Sequence, residues 1–393
     1  MNRQLPPPIQ SSFFDEVSRM RMLFVTGGSP ATVYALTPLA TAARNAGHQV
    51  LFAANAPTMN AIAAAGLAGV SVSDIPIRVH IEFDRAGAPV PRSADPEVQI
   101  RSIGHAFGRM AAVYQEPLYE LAKAWRPDVV VGGTLIYSAA VLASRIGVPY
   151  VRQAWDSGEP QVVDVAAAEE MRPELEALGL EGIPAQTLWI DVCPASVRDP
   201  EAPEGSEMRW IPSNEHPPIE PWMYVKGDRP RVAITAGTKT APGYFSDYLV
   251  ELVAKMRKVD AEILVSAPPA AARAISEATG TRAGWVPFDI VAPTCDLLVH
   301  HAGGGTALTG MTYGVPQLLI PNMPKLVPPS NRLARYGGAR VLLPGADSAE
   351  AVAGAAEDLL ADSRYRERAA ALAAEVAEMP APADVIGTIE RLQ

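Results

Sequence analysis

One stretch of the chain gathers residues whose types and spacing suit the handling of a large anion. It runs Leu297-Leu298-Val299-His300-His301-Ala302-Gly303-Gly304-Gly305-Thr306 and is followed by Gly314-Val315-Pro316-Gln317. The pattern predicts a buried strand, a glycine-rich turn and the start of a helix. Three glycines let a ligand approach the backbone, and the free amides and positive dipole end of a helix from Gly304 onward favour negative charge there. Thr306 adds a hydroxyl, and His301 at the strand end can donate a ring proton to a phosphate oxygen. Glycines alone would fit a plain structural turn equally well; the added His, Thr and trailing Gly-Val-Pro-Gln favour a phosphate cradle. His300 and His301 are adjacent on a strand, so their side chains point to opposite faces and do not readily share one metal ion.

The elements that position this stretch follow from hydrophobic patterning. From Met20 onward, short apolar runs alternate with helical patterns, the signature of strand-helix-strand units building a parallel sheet. Met22 to Thr26 reads as a buried strand, Gly27-Gly28-Ser29-Pro30 as the turn after it, and the next helix stops at Gly47, which tolerates a left-handed C-terminal conformation. A strand at His48 to Ala53, a long helix from about Glu97 to Trp125, and strands at Val129 to Val131 and Tyr150 to Gln153 continue the theme. Between Glu201 and Arg229 the periodicity stops among five prolines, which predicts a linker. The theme then restarts: Arg231 to Ala236 is a strand with Gly237-Thr238 as the turn at its end, and further strands fall at Ile263 to Ser266, Leu297 to His300, Gln317 to Ile320 and Arg340 to Leu343. Two facing Rossmann-like, doubly wound α/β domains place a cleft at the carboxyl ends of both sheets.

Composition agrees. At 393 residues and 48% hydrophobic content, the chain is a folded protein too long for one core, which stops growing at roughly 250 to 300 residues. With 33 basic against 43 acidic residues and no basic stripe, a nucleic-acid partner is not expected. No run of about 18 apolar residues exists, so no membrane span is expected either. Cys193 and Cys295 have no disulfide framework or metal-ligand spacing, which predicts a reducing, cytoplasmic setting. The 37 prolines, near twice the usual share of roughly 5%, punctuate the chain, and residues 1 to 19, with Leu5-Pro6-Pro7-Pro8, are expected to form a disordered extension.

The run His300 to Thr306 with Gly314-Val315-Pro316-Gln317, together with Gly284-Trp285-Val286-Pro287 and Ala292-Pro293-Thr294-Cys295-Asp296, resembles the donor-binding signature of the inverting nucleotide-sugar glycosyltransferases of GT-B fold, family 1 type. The likeness extends over nearly the whole chain after residue 19. The stretches Gly28-Ser29-Pro30-Ala31-Thr32, Thr41-Ala42-Ala43-Arg44-Asn45-Ala46-Gly47-His48 and Glu220-Pro221-Trp222-Met223-Tyr224 are most similar to actinomycete enzymes that move deoxysugars from thymidine diphosphate (TDP) onto polyketides, in particular C-glycosyltransferases of aromatic, angucycline- or tetracycline-like polyketides. The resemblance implies an acceptor-binding domain over 20–210, a linker over 211–229, a donor-binding domain over 230–378, and a C-terminal helix within 379–393 packing back on the first domain. It also implies that Trp285 stacks on the nucleobase with the Val286 backbone reading its edge, that Gly237 and Thr238 hold the β-phosphate, and that His301 contacts the α-phosphate. Ala302, Gly303, Gly304, Gly305 and Thr306 close the cradle. No metal is expected, because the cradle itself stabilises the leaving group, and the chain lacks an Asp-x-Asp motif.

The chain also departs from the pattern. Many relatives carry a His general base in the first strand-to-helix loop, where this chain has Ser29, whose neutral hydroxyl does not take a proton at pH 7. The catalytic position thus involves Ser29, but the base must come from elsewhere. The best candidate is Asp156, directly after the strand ending near Trp155, where apolar neighbours would raise its pKa; an Asp follows a Trp at the matching place in the aromatic C-glycosyltransferases. After Ile320-Pro321 the Asp-Gln pair that grips sugar hydroxyls in most relatives is replaced by Asn322-Met323-Pro324-Lys325-Leu326, which suggests a donor that has lost hydroxyls, such as a 2,6-dideoxyhexose. Tyr34, Ile81, Phe83, Ile136, Tyr137 and Trp155 are candidate acceptor contacts. The expected reaction is inverting transfer from a TDP-deoxysugar to an aromatic polyketide through a carbon–carbon bond. O-transfer to a polyketide or macrolide, a homodimeric state and a non-catalytic helper role stay open, although a helper has no need of the phosphate cradle. A nicotinamide oxidoreductase fits less well, because Gly27 to Thr32 lacks the spaced three-glycine fingerprint and Asn55 stands near the place of a ribose-binding acid.

Overall fold

The computed structural model describes residues 19–158, 160–237 and 242–393. The opening extension up to residue 18 and the expected phosphate contact Thr238 lie outside the described residues. The apolar runs become parallel strands covered by helices on both faces, which is why they carry no polar alternation. Arg21–Val25 (β1), Gln49–Asn55 (β2), Gly69–Ser73 (β3), Val129–Gly133 (β4), Tyr150–Gln153 (β5), Leu188–Asp191 (β6) and Ser206–Glu207 (β7) form the first sheet. Their order is β3-β2-β1-β4-β5-β6-β7, with every pairing parallel. In the central strand β1, Met22 through Val25 have no solvent exposure.

Arg231–Thr235 (β8), Glu262–Ser266 (β9), Arg282–Gly284 (β10), Leu297–His300 (β11), Gln317–Leu319 (β12) and Ala339–Val341 (β13) build the second sheet, ordered β10-β9-β8-β11-β12-β13 and again parallel throughout. In each sheet the order reverses beside the first strand, between β1 and β4 and between β8 and β11. Those switch points open crevices at the carboxyl ends of the strands, and the loops there supply the site.

The Pro-rich stretch between the two halves is packed against both of them. Ser206–Glu207 extends the first sheet as β7, and Met208 and Trp210 are buried. Arg209 N donates to Pro380 O at 2.8 Å, and Met223, in the short helix Pro221–Tyr224, packs with Val286 and Val291 of the second half. The proline spacing hid this because prolines remove donors without preventing apolar burial. One core cluster runs from Met22, Phe24 and Leu36 through Trp210 to Ala307, Leu308 and Met311, so the two halves share apolar packing. The helix Pro382–Glu390 returns to the first half, packing Val385, Ile386 and Ile389 beside the helix Pro30–Asn45. His48 joins it there, its Nε2 lying 3.0 Å from Glu390 Oε1.

The helix Pro96–Trp125 starts where the Asp95 side chain accepts from Glu97 N and Val98 N. Gly104 and Gly108 let it approach the helix Gln161–Glu170 backbone to backbone; a Cβ on Gly108 would fall 3.0 Å from Ala167 O. That packing braces the loop after β5.

Candidate active site

The carboxyl ends of β11 and β8 form one wall of a cavity of about 230 Å³. β11 delivers His300 inward and His301 to the cavity. His300 is fully buried and its pKa is pushed down to about 3 by burial, then by the neighbouring His301. The neutral ring fixes a relay. Ala302 N donates to its Nδ1 at 3.2 Å, its Nε2 lies 2.9 Å from Gln317 Oε1, and Gln317 Nε2 donates to Ala307 O at 3.0 Å. Because Gln317 gives its amide hydrogen to Ala307, its Oε1 accepts and His300 carries its proton on Nε2. The Gln of the Gly-Val-Pro-Gln run thus ties the glycine turn to the helix behind it, a role that spacing alone did not reveal. Gly310 makes room for that amide.

Ala302 has φ +65°, a left-handed conformation that costs a side chain of its kind about 1 kcal/mol. It faces the core and does not line the cavity, whereas His301, Gly303, Gly304, Gly305 and Thr306 do. The helix Gly304–Thr312 follows at once, pointing its first amides at the cavity. The His301 ring lies between two glycines: a Cβ on Gly237 would fall 2.5 Å from its Cε1, and one on Gly303 would overlap Nε2. Gly237, at φ +76°, accordingly brings the end of β8 to the ring that the end of β11 presents. Trp285 and Val286 line the same cavity, and Trp285 Nε1 donates to Glu215 O at 2.9 Å.

The opposite wall belongs to the first half. Pro30, Ala31, Thr32, Tyr34 and Ala35 contribute from the start of the helix Pro30–Asn45, Leu135 from the loop after β4, and Trp155 and Asp156 from the loop after β5. Trp155 lies over Gly133, where a Cβ would collide with its ring. Tyr34 is 7% exposed, and its pKa is pushed up to about 12 by burial, then by the Glu215 charge, so it presents a protonated hydroxyl. Asp156 accepts from Ser157 N at 2.8 Å on Oδ1, and Lys325 Nζ stands 3.9 Å from its Oδ2. The carboxylate reaches the opposite wall: a Cβ on Gly304 would overlap Oδ1. The carboxyl group therefore lies against the first residue of a helix, the end at which the dipole favours an anion.

Ser29, Ile81, Phe83, Ile136 and Tyr137 do not line the cavity. Ser29 sits just before the helix Pro30–Asn45, 7% exposed, and its hydroxyl finds no hydrogen-bond partner among the described residues. Ile136 and Tyr137 turn into the core, where the Tyr137 hydroxyl donates to Asp164 Oδ1 at 2.8 Å, and Ile81 and Phe83 are exposed on the surface. An apolar residue one or two places past a strand has the same sequence signature whether it faces core or cleft. Several contributors escaped the sequence reading, among them Leu135, Ser213, Asn214 and Lys325, and three more stand out. Trp210, from the supposed linker, donates Nε1 to Thr309 Oγ1 at 3.3 Å. Met323 and Leu326, from the segment where the Asp-Gln pair is missing, complete the cavity.

Known proteins share this architecture. The family models of the erythromycin biosynthesis protein CIII-like N-terminal and C-terminal domains match residues 41–237 and 250–392. The L-demethylnoviosyl transferase of Streptomyces niveus is 29% identical over 93% of this chain and 96% of its own length. Among solved structures, the glycosyltransferase SsfS6 of Streptomyces sp. SF2575 complexed with thymidine diphosphate superposes with a TM-score of 0.83 at 29% identity, over 95% of this chain and 100% of that one. The spinosyn rhamnosyltransferase SpnG complexed with spinosyn aglycone gives a TM-score of 0.81 at 25% identity, over 94% of this chain and 100% of that one. With two facing parallel-sheet domains, a glycine cradle between them and family models matching both halves, the chain belongs to the erythromycin biosynthesis protein CIII-like family and is a GT-B glycosyltransferase.

Proposed function

We propose that this enzyme moves a 2,6-dideoxyhexose such as olivose from a TDP-sugar to an aromatic polyketide aglycone, inverting the anomeric carbon and joining the two through a carbon–carbon bond. The observation that carries the reading is the placement of the Asp156 carboxylate against Gly304, which brings a proton acceptor to the mouth of an anion cradle. A relative bound to thymidine diphosphate and another bound to spinosyn aglycone support a TDP-sugar donor and a polyketide or macrolide acceptor.

In the reaction, the amides of Gly304, Gly305 and Thr306 and the His301 ring take the diphosphate, while Trp285 covers the base. Asp156 removes the proton of an acceptor phenol held between Tyr34, Leu135 and Trp155. The phenolate's electron pair, delocalised to the adjacent ring carbon, forms the new bond to the anomeric carbon as the bond to the diphosphate oxygen breaks. TDP leaves with the electron pair of the broken carbon–oxygen bond; the ring carbon then gives its hydrogen to solvent as a proton, which restores aromaticity, and the oxygen, again a phenolate, takes its proton back from Asp156. The donors aimed at the leaving group supply the stabilisation that a cation would otherwise give, so no metal is part of this proposal. Met323 and Leu326 offer apolar surface where a hydroxyl-rich sugar would need acceptors, which supports a deoxygenated donor. Carbon or oxygen attack depends on the tilt of the acceptor ring, a matter of positioning.

Incubation with TDP-olivose, UDP-glucose and a panel of polycyclic phenols, followed by mass spectrometry, tests the proposal. A dideoxyhexose product resistant to acid hydrolysis is expected. An acid-labile product shows O-transfer, and faster use of UDP-glucose contradicts the donor assignment.

A further inference from the structure

We propose that Arg332 is a positioning residue for the transfer reaction: from the donor domain it holds the acceptor-domain loop that carries Asp156. Arg332 lies on the helix Val327–Tyr336, behind the second sheet's cavity wall. Its guanidinium crosses to the first domain and reaches two loops there. Nη2 donates to Ser157 O at 2.5 Å, Nε to Val197 O at 3.1 Å, and Nη1 to Asp199 Oδ2 at 3.0 Å. These acceptors follow β5 and β6, so one planar group ties both strand ends to the opposite domain. Its side chain is 12% exposed, which limits competition from water.

The link to the reacting centre is one residue long. Ser157 offers its carbonyl to Arg332 and its amide to Asp156 Oδ1, the latter at 2.8 Å, so the residue next to the carboxylate is held at both ends. Gly158 completes the fit. Its φ is +134°, and a Cβ there would fall 3.0 Å from Arg332 Nη2 and 3.2 Å from Asp199 Oδ2. A guanidinium can serve these three acceptors at once because its donors form a rigid fork, whereas a lysine serves one or two with a flexible stem. The geometry makes the placement of Asp156 depend on contact between the domains, so the base is in position only when the donor wall is. Displacement of about 1 Å at a reacting group can cost about 10²-fold in rate.

The inference rests on Asp156 as the base, and the test separates the two claims. Hydrogen–deuterium exchange of the full chain, read on peptides covering residues 150–160, is compared for wild type, Arg332→Lys and Arg332→Met. Exchange around Ser157 is expected to rise at least about tenfold in Arg332→Met and by less in Arg332→Lys, with peptides covering β1 and β11 unchanged. Should Arg332→Met open the whole chain, the Lys variant alone decides. Unchanged exchange around Ser157 overturns the proposal whatever the activity does. With TDP-olivose and an accepted phenol, Arg332→Met is expected to lower kcat with donor KM and TDP affinity kept, and to lower it no further in an Asp156→Asn background. Equal losses in both backgrounds also overturn the proposal, while an Asp156→Asn enzyme with normal turnover overturns the base assignment instead.

Discussion

The His301 ring occupies the space that a Cβ would need on both Gly237 and Gly303, so those glycines are what let the ring sit at the cavity wall, where the proposed function puts the diphosphate. Gly237→Ala would push the ring aside and also strain a backbone at φ +76°. Its TDP affinity, measured by calorimetry, is expected to fall about tenfold or more, with an unchanged far-UV spectrum; tenfold corresponds to about 1.4 kcal/mol. Unaltered affinity would remove His301 from the donor site. At this scale the sequence was informative about placement where the residue type is distinctive: His301, Gly303, Gly304, Gly305 and Asp156 all line the cavity. It was uninformative about Ile136 and Tyr137, because apolar side chains following a strand serve core and cleft equally well, and about Arg332, whose partners come from loops more than a hundred residues away.

The turn between β11 and the helix Gly304–Thr312 is held by the relay from Ala302 through His300 and Gln317 to Ala307. Replacing Gln317 with Leu leaves the buried His300 Nε2–H without an acceptor and is expected to cost about 1–3 kcal/mol, read as a lower denaturation midpoint. The relay also predicts a pH dependence. In the folded protein burial holds His300 near a pKa of about 3, while in the unfolded chain it titrates near its ordinary 6.5. As pH falls the unfolded chain binds this proton first. The contribution of His300 to stability is thus complete above 6.5 and is lost progressively between 6.5 and about 3. A His300→Asn variant, though less stable at neutral pH, is expected to lose melting temperature less steeply between pH 7 and 4; an equal slope would mean that other groups dominate. Elements such as Val129–Gly133 and Leu297–His300 were legible because central parallel strands are near-continuous apolar runs. The strands Gly69–Ser73, Arg282–Gly284 and Ser206–Glu207 lie at or next to sheet edges, are short and carry little apolar signal, so only pairing reveals them.

Across the whole molecule, two halves that begin alike close on one cleft, and a common apolar cluster, the packed segment 208–216 and the helix Pro382–Glu390 hold them together. Shared packing predicts a single cooperative heat-capacity peak on thermal unfolding, and two resolved peaks would show that the halves are energetically separate. Their closure also explains how a chain of net charge −10 can hold a diphosphate. The overall field repels the ligand, so attraction has to be local, and the cavity wall offers the first amides of a helix, the His301 ring and the Lys325 ammonium. The same closure sets Asp156 against Gly304. The most direct test of this arrangement is turnover of Asp156→Asn with TDP-olivose and an accepted polycyclic phenol, measured beside its affinity for TDP. The account predicts a rate lower by about 10² to 10⁴ with TDP binding retained; unchanged turnover would contradict it.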